Sequence, residues 1–239
     1  MFKIALNAGH YKNTFGKRCM KKLDPNETRE WVLNDRICDK IEAKLKEYDG
    51  YQLLRIDDTT GATDVSLSNR AKKANTWGAD FYLSIHHNAG INGGTGGGVV
   101  AYTYTKVDDT TKAWQKELYD AIIKYTALKG NRATPLAASN LAECRQTTMP
   151  AVLLECGFMD SATDVPQILS DVFADRVASA CVEVIAKRGK LTKKQPTPVA
   201  NTATGTVYRV QVGAYRDRGN AEKLVANLKK DGYDAYITT

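Results

Sequence analysis

Ala151 to Leu154 form an unbroken apolar run, and Glu155 follows at once. A strand with one wet face alternates apolar and polar residues, so such a run demands cover on both faces. Comparable strands read as "FKIAL" (2–6), "YQLLRI" (51–56), "FYLSI" (81–85) and "GVVAYTY" (98–104). Helical patterns separate them, over about 30–47, 67–77, 112–128 and 170–187. Val32, Leu33, Ile37, Ile41 and Leu45 share one stripe; Val172, Phe173, Val177, Cys181, Val184 and Ile185 share another. This alternation predicts an α/β fold, a twisted, mostly parallel sheet flanked by helices.

A domain boundary follows the last helix. "KRGKLTKKQPTPVANTATG" (187–205) mixes lysines, Pro196, Pro198 and small polar residues without apolar period, as a flexible connection does. The expected organisation is a main domain over 1–187, a linker over 188–206 and a small unit over 207–239. In that unit Tyr208, Val210 and Val212 alternate as a strand. A helix capped by Asn220 carries Ala221, Leu224, Val225 and Leu228 on one stripe, Gly232 ends it, and "YDAYI" reads as a second strand.

Charge narrows the function. Residues 1–186 carry 23 Lys and Arg against 23 Asp and Glu, so the net +7 of the chain lies in the linker and tail. A neutral main domain lacks the basic footprint of a nucleic-acid binder. The basic linker suits either attraction to an anionic wall or plain solubility. No stretch approaches the ~18 apolar residues of a membrane span, which excludes helical membrane insertion. "MFKIALNAGH" has no leader pattern, so synthesis in the cytoplasm without a signal peptide is expected. Cys19, Cys38, Cys144, Cys156 and Cys181 are scattered without a C-x-x-C pair and read as reduced core thiols.

Three strands end on a potential ligand: "IALNAGH" delivers His10, "YLSIHH" delivers His86 and His87, and "VLLE" delivers Glu155. In open α/β sheets ligands bind beyond the carboxyl ends of the strands, where one site can collect all of these. Glu30, starting the first long helix, can point back at His10. Two imidazoles and one carboxylate are a zinc set that leaves a fourth position for water. Taken singly, each has a plainer reading. A histidine after a strand is usually a hydrogen-bonded core residue, and a glutamate at a helix start complements the dipole. Glu155 is harder to dismiss, because burying a carboxylate without a partner is costly.

"NAGH", then Glu30 with Asn34, then "SIHHNA", then Arg145 with "MPAVLLECGF" (149–158) together resemble the zinc-dependent N-acetylmuramoyl-L-alanine amidases of the Amidase_3 family, over about residues 2–187. The resemblance implies one zinc ion held by His10, Glu30 and His86, with Glu155 as the catalytic carboxylate. Glu27 is the competing ligand, and the spacing to Asn34 favours Glu30. Arg145 and His87 are candidate substrate contacts. The implied reaction is hydrolysis, by zinc-activated water, of the amide joining N-acetylmuramic acid to L-alanine in peptidoglycan. It implies action on the wall after membrane permeabilisation or lysis, as in phage endolysins or sporulation autolysins. Three mild departures remain: "NAGH" replaces the usual D-P-G-H, "AECR" (142–145) stands where a more apolar stretch precedes the arginine, and "GFMDSATD" (157–164) replaces the frequent G-F-x-S-N.

The tail resembles the first half of a SPOR domain, a peptidoglycan-binding module. An open half-sheet below ~40 residues is too small to hold its own core, which implies a homodimer pairing two tails. A zinc peptidase cutting within the stem peptide, or a non-catalytic cell-wall-binding protein, are the competing readings.

Overall fold

The computed structural model describes residues 1–195 and 211–238. Along the chain run β1 (Phe2–Ala8), α1 (Glu30–Leu45), β2 (Tyr48–Asp49), β3 (Tyr51–Arg55), α2 (Leu67–Trp77), β4 (Phe81–Asn88), β5 (Val99–Thr103) and α3 (Asp109–Thr126). They are followed by β6 (Leu136–Ala138), α4 (Ala142–Arg145), β7 (Ala151–Phe158), α5 (Val165–Ile168), α6 (Asp171–Arg188), β8 (Thr192–Lys193) and α7 (Arg218–Lys230).

Six strands form one sheet in the order β3-β1-β4-β7-β5-β6. Every pairing is parallel except β5 with β7. The apolar runs are explained by cover on both sides. Ile4, Leu6, Leu83, Val152 and Leu154 belong to a core with α1, α3 and α6. The residues between them, Ala5, Tyr82, Ala151 and Leu153, pack in a second core with Ala74 of α2 and Cys144 of α4. Each fully buried leucine or isoleucine contributes about 1.5–3 kcal/mol.

Local chemistry sets the helix ends. Ser66, Asp108 and Ser170 cap α2, α3 and α6 by accepting from the backbone N–H of Asn69, Thr111 and Val172. All five cysteines are free and buried, as their scatter predicts.

The chain divides into two compact units, Met1–Lys193 and one beginning at Lys194. The first residues of the expected linker therefore belong to the first unit. Tyr48 and Asp49 pair antiparallel with Lys193 and Thr192, and Arg188 and Lys187 both bind Glu117.

In the second unit α7 forms as expected, with Ala221, Leu224, Val225 and Leu228 half-buried along its stripe. Its cap is Asp217, whose carboxylate accepts from the N–H of Asn220 at 3.1 Å, rather than Asn220 itself. Tyr208 and Val210 of the first expected strand lie outside the described residues. "YDAYI" forms no strand among the described residues, and Tyr233 and Tyr236 are exposed. A strand exists only through a ladder to another, and the described residues supply none. The pairing of two tails rests on strands absent from the described residues.

Candidate metal centre

β1, β4 and β7 are adjacent and parallel, so their carboxyl ends open at one rim. Ala8 pairs with Ile85, and one residue further His86 pairs with Glu155. The chain leaves β1 through Gly9, whose N–H still bonds Ile85 at 2.9 Å. A Cβ on Gly9 would lie 2.1–2.4 Å from three atoms of the His86 ring, so only glycine lets that ring lie against the chain. His10 follows in the left-handed region, at φ 66°, which is uncommon for a residue with a side chain. The buried Arg70 holds this turn, donating to the carbonyls of Ala8 at 2.7 Å and His10 at 2.8 Å.

Glu30 opens α1 with no exposed surface. Its Oε2 lies 3.3 Å from His10 Nε2, and its Oε1 lies 3.1 Å from His86 Nδ1. Burial alone would raise this carboxyl, but hydrogen bonds to His10 and His86 outweigh it and hold the group well below the usual carboxylate range. Burial likewise opposes charge on His86, yet Glu143 and Glu30 push its imidazole up to about 10.

His10, Glu30 and His86 each offer a donor atom, all within 4.8 Å of one another. A tetrahedral zinc with bonds of about 2.0–2.1 Å spaces its ligand atoms by roughly 3.3 Å, comparable to the distance from each imidazole to its own, different, oxygen of Glu30. Glu30 Oε2 is moreover buried without an aligned hydrogen bond. The donor set and its spacing fit a zinc ion.

Glu155 stands beside this cluster. It is partly buried, Oε2 has no hydrogen-bond partner, and burial pushes its carboxyl up to about 7, with Glu30 and Glu143 adding to the shift and His86 and Lys17 opposing it. Glu27 is apart from the cluster, paired to Arg18 at 3.2 Å. His87 faces inward, 2% exposed, with Nδ1 2.8 Å from Asn34 Oδ1; burial pushes it down to about 3 and keeps it neutral. So placed, its ring links β4 to α1. Asn34 in turn donates to the Gly9 carbonyl at 3.1 Å, which gives the Glu30 and Asn34 spacing a structural reason: one helical turn apart, both reach the same rim. Arg145 lies exposed at the end of α4, donating to Asn140 Oδ1 at 2.7 Å.

Two neighbours escaped the sequence reading. Lys17 Nζ lies 3.7 Å from Glu30 Oε2. Glu143, 4% exposed, brings Oε2 to 3.4 Å from His86 Nε2. Its only sequence signal was the charge interrupting an otherwise apolar position in "AECR".

Comparison with known proteins agrees with this architecture. The family model described as N-acetylmuramoyl-L-alanine amidase, Amidase_3, matches residues 4–187, and the SPOR domain model matches residues 185–239. The N-acetylmuramoyl-L-alanine amidase CwlM of Bacillus licheniformis is 31% identical over 239 residues, covering 99% of this chain and 85% of that protein. The sporulation-specific N-acetylmuramoyl-L-alanine amidase of Bacillus subtilis (strain 168) is 29% identical, covering 99% of this chain and 84% of that protein. Among solved structures, an N-acetylmuramoyl-L-alanine amidase from Clostridium difficile 630 superposes with a TM-score of 0.69 at 27% identity, over 78% of this chain and 95% of that one.

Proposed function

Since the chain belongs to the Amidase_3 family of N-acetylmuramoyl-L-alanine amidases, we propose that it is a zinc-dependent peptidoglycan hydrolase cleaving the amide between N-acetylmuramic acid and L-alanine. The observation that carries this reading is the convergence of His10, Glu30 and His86 at one rim, with the Glu155 carboxyl on the strand adjoining His86. His10, Glu30 and His86 would hold the ion. Zinc held there would polarise the scissile carbonyl and lower the pKa of a water to about 7.

Glu155 accepts a proton from the attacking water and returns it to the departing amine nitrogen, so the C–N bond breaks as a C–O bond forms. A positioned carboxylate doing both halves of that transfer contributes roughly 10²- to 10⁴-fold. Gly9 and Arg70 hold the His10 turn in place, and Asn34 ties α1 to the same turn. Arg145, with its guanidinium on the surface, is the remaining candidate for contact with the glycan or peptide. Residues 207–239 attach the enzyme to the wall, and the activity serves wall breakdown during lysis.

Digestion of purified peptidoglycan by the full chain, with and without chelator, tests this. Mass spectrometry is expected to find new L-alanine amino termini that vanish with chelator and return with zinc. New termini elsewhere in the stem would indicate a peptidase; none at all would indicate a wall-binding protein.

A further inference from the structure

Beneath the rim, two of the three departures of the sequence from the family pattern touch each other. Asn7 Nδ2 donates to Glu143 Oε1 at 2.8 Å, across the face that carries α2 and α4. Tyr82 OH donates to the same oxygen at 2.8 Å, and Asn7 Nδ2 also reaches Ser84 Oγ at 2.8 Å. Arg70 closes the group by donating to Asn7 Oδ1. All five side chains are buried.

A carboxylate in that position needs a reason. A buried charge costs several kcal/mol to desolvate and is weak support for stability, since an apolar residue of similar volume often serves as well. Tyr82 and Asn7 both land on Oε1. The other oxygen, Oε2, lies 3.4 Å from His86 Nε2, a buried nitrogen that has no aligned hydrogen bond, while Nδ1 of the same ring faces Glu30 at 3.1 Å. The imidazole is thus held between two carboxylates on its two nitrogens. Only Glu30 shares the compact donor group with His10; Glu143 lies outside it.

From this we infer that Glu143 is a positioning residue for the metal site: its Oε2, beside the unpartnered Nε2 of His86, becomes the acceptor of that nitrogen's proton when the ion is held, so that Nδ1 is the ligand atom. An imidazole must give one nitrogen to the ion and the other to an acceptor, and a carboxylate in the second role fixes both tautomer and ring orientation. Tyr82 and Asn7 both donate to Oε1 and so orient the carboxyl group. The inference rests on the zinc reading above and goes beyond it by stating which nitrogen binds.

The test uses the full chain labelled with ¹⁵N-histidine and loaded with zinc. The His86 resonances are expected to show a protonated Nε2 and a metal-bound Nδ1; a metal-bound Nε2 overturns the inference. Glu143→Gln, which retains an oxygen for Tyr82 and Asn7, is expected to weaken zinc binding about 10- to 100-fold in competition with a chromophoric chelator. A folded Gln variant whose affinity stays within about threefold of the parent overturns it too. If that variant does not fold, the spectrum of the unaltered protein decides alone. Failure of the zinc reading is separable, because the unaltered protein would then take up no stoichiometric zinc.

Discussion

Gly9→Ala adds one methyl group at the point where β1 hands over to His10. That carbon would lie 2.1 Å from the nearest atom of the His86 ring, where ordinary contact begins near 3.4 Å. Relief needs a relative shift of about 1.3 Å, several times the ±0.2 Å over which metal-ligand distances are tolerated. The ring cannot slide without losing Glu30 on one side and Glu143 on the other. Overpacking of this kind costs about 1–3 kcal/mol, less than the 5–15 kcal/mol that keeps a typical domain folded. The variant should therefore fold, with a slightly lower Tm, yet bind zinc at least 100-fold more weakly and lose amidase activity to match. Chelator competition gives the affinity, circular dichroism the fold, and release of L-alanine termini the activity. Gly189→Ala is a control for overpacking away from the site: its Cβ meets the Phe2 ring at 2.7 Å and the Ile185 carbonyl oxygen at 2.9 Å, a milder overlap, and it should keep the zinc affinity of the parent. A folded Gly9→Ala protein binding zinc as tightly as the parent would refute the reasoning.

Glu155→Gln should retain zinc and fold while turnover falls about 10²- to 10⁴-fold, read by the same terminus assay. In the metal-free protein the raised Glu155 carboxyl keeps a proton that the unfolded chain releases above its ordinary 4.5, so this group withdraws stability as pH rises from 4.5 to about 7. Urea midpoints should accordingly shift in favour of Glu155→Gln across that window; a pH-independent difference contradicts the raised carboxyl. Asp160 Oδ2 accepts the backbone N–H groups of Gly90, Ile91 and Asn92 at 2.7–2.9 Å. Asp160→Ala should cost about 2–3 kcal/mol, a Tm drop of roughly 4–12 °C, and expose the 90–97 loop to protease; an unchanged cleavage pattern would show the loop held by other contacts. The native protein should resist a disulfide thiol reagent at all five buried cysteines, with burial pushing Cys19 up to about 12, and react fully once unfolded. Rapid labelling of the native state would contradict that burial.

The α/β class, the five long strands, the long helices and the chain positions of His10, Glu30 and His86 were legible in the sequence. Burial of a strand on both faces leaves an unbroken apolar run, and cover on one side leaves a helical stripe; both are local marks. Two- to four-residue elements such as β2, β6, β8, α4 and α5 are too short to carry a period, and the structure alone defines them. Competition between nearby polar groups also escaped the sequence: Asp217, rather than Asn220, caps α7 because its carboxylate reaches the Asn220 N–H.

Tertiary structure decided what surrounds His10, Glu30 and His86. His86 and His87 are neighbours in sequence, yet the strand's pleat sends one toward Glu30 and Glu143 and the other toward Asn34. Glu143 meets Asn7 and Tyr82 only because the sheet order and the seat of α4 bring them to one spot. A residue's type and its local rhythm are written in its neighbours along the chain. Which distant side chain faces it depends on strand order and register, and those follow from the packing of the whole domain.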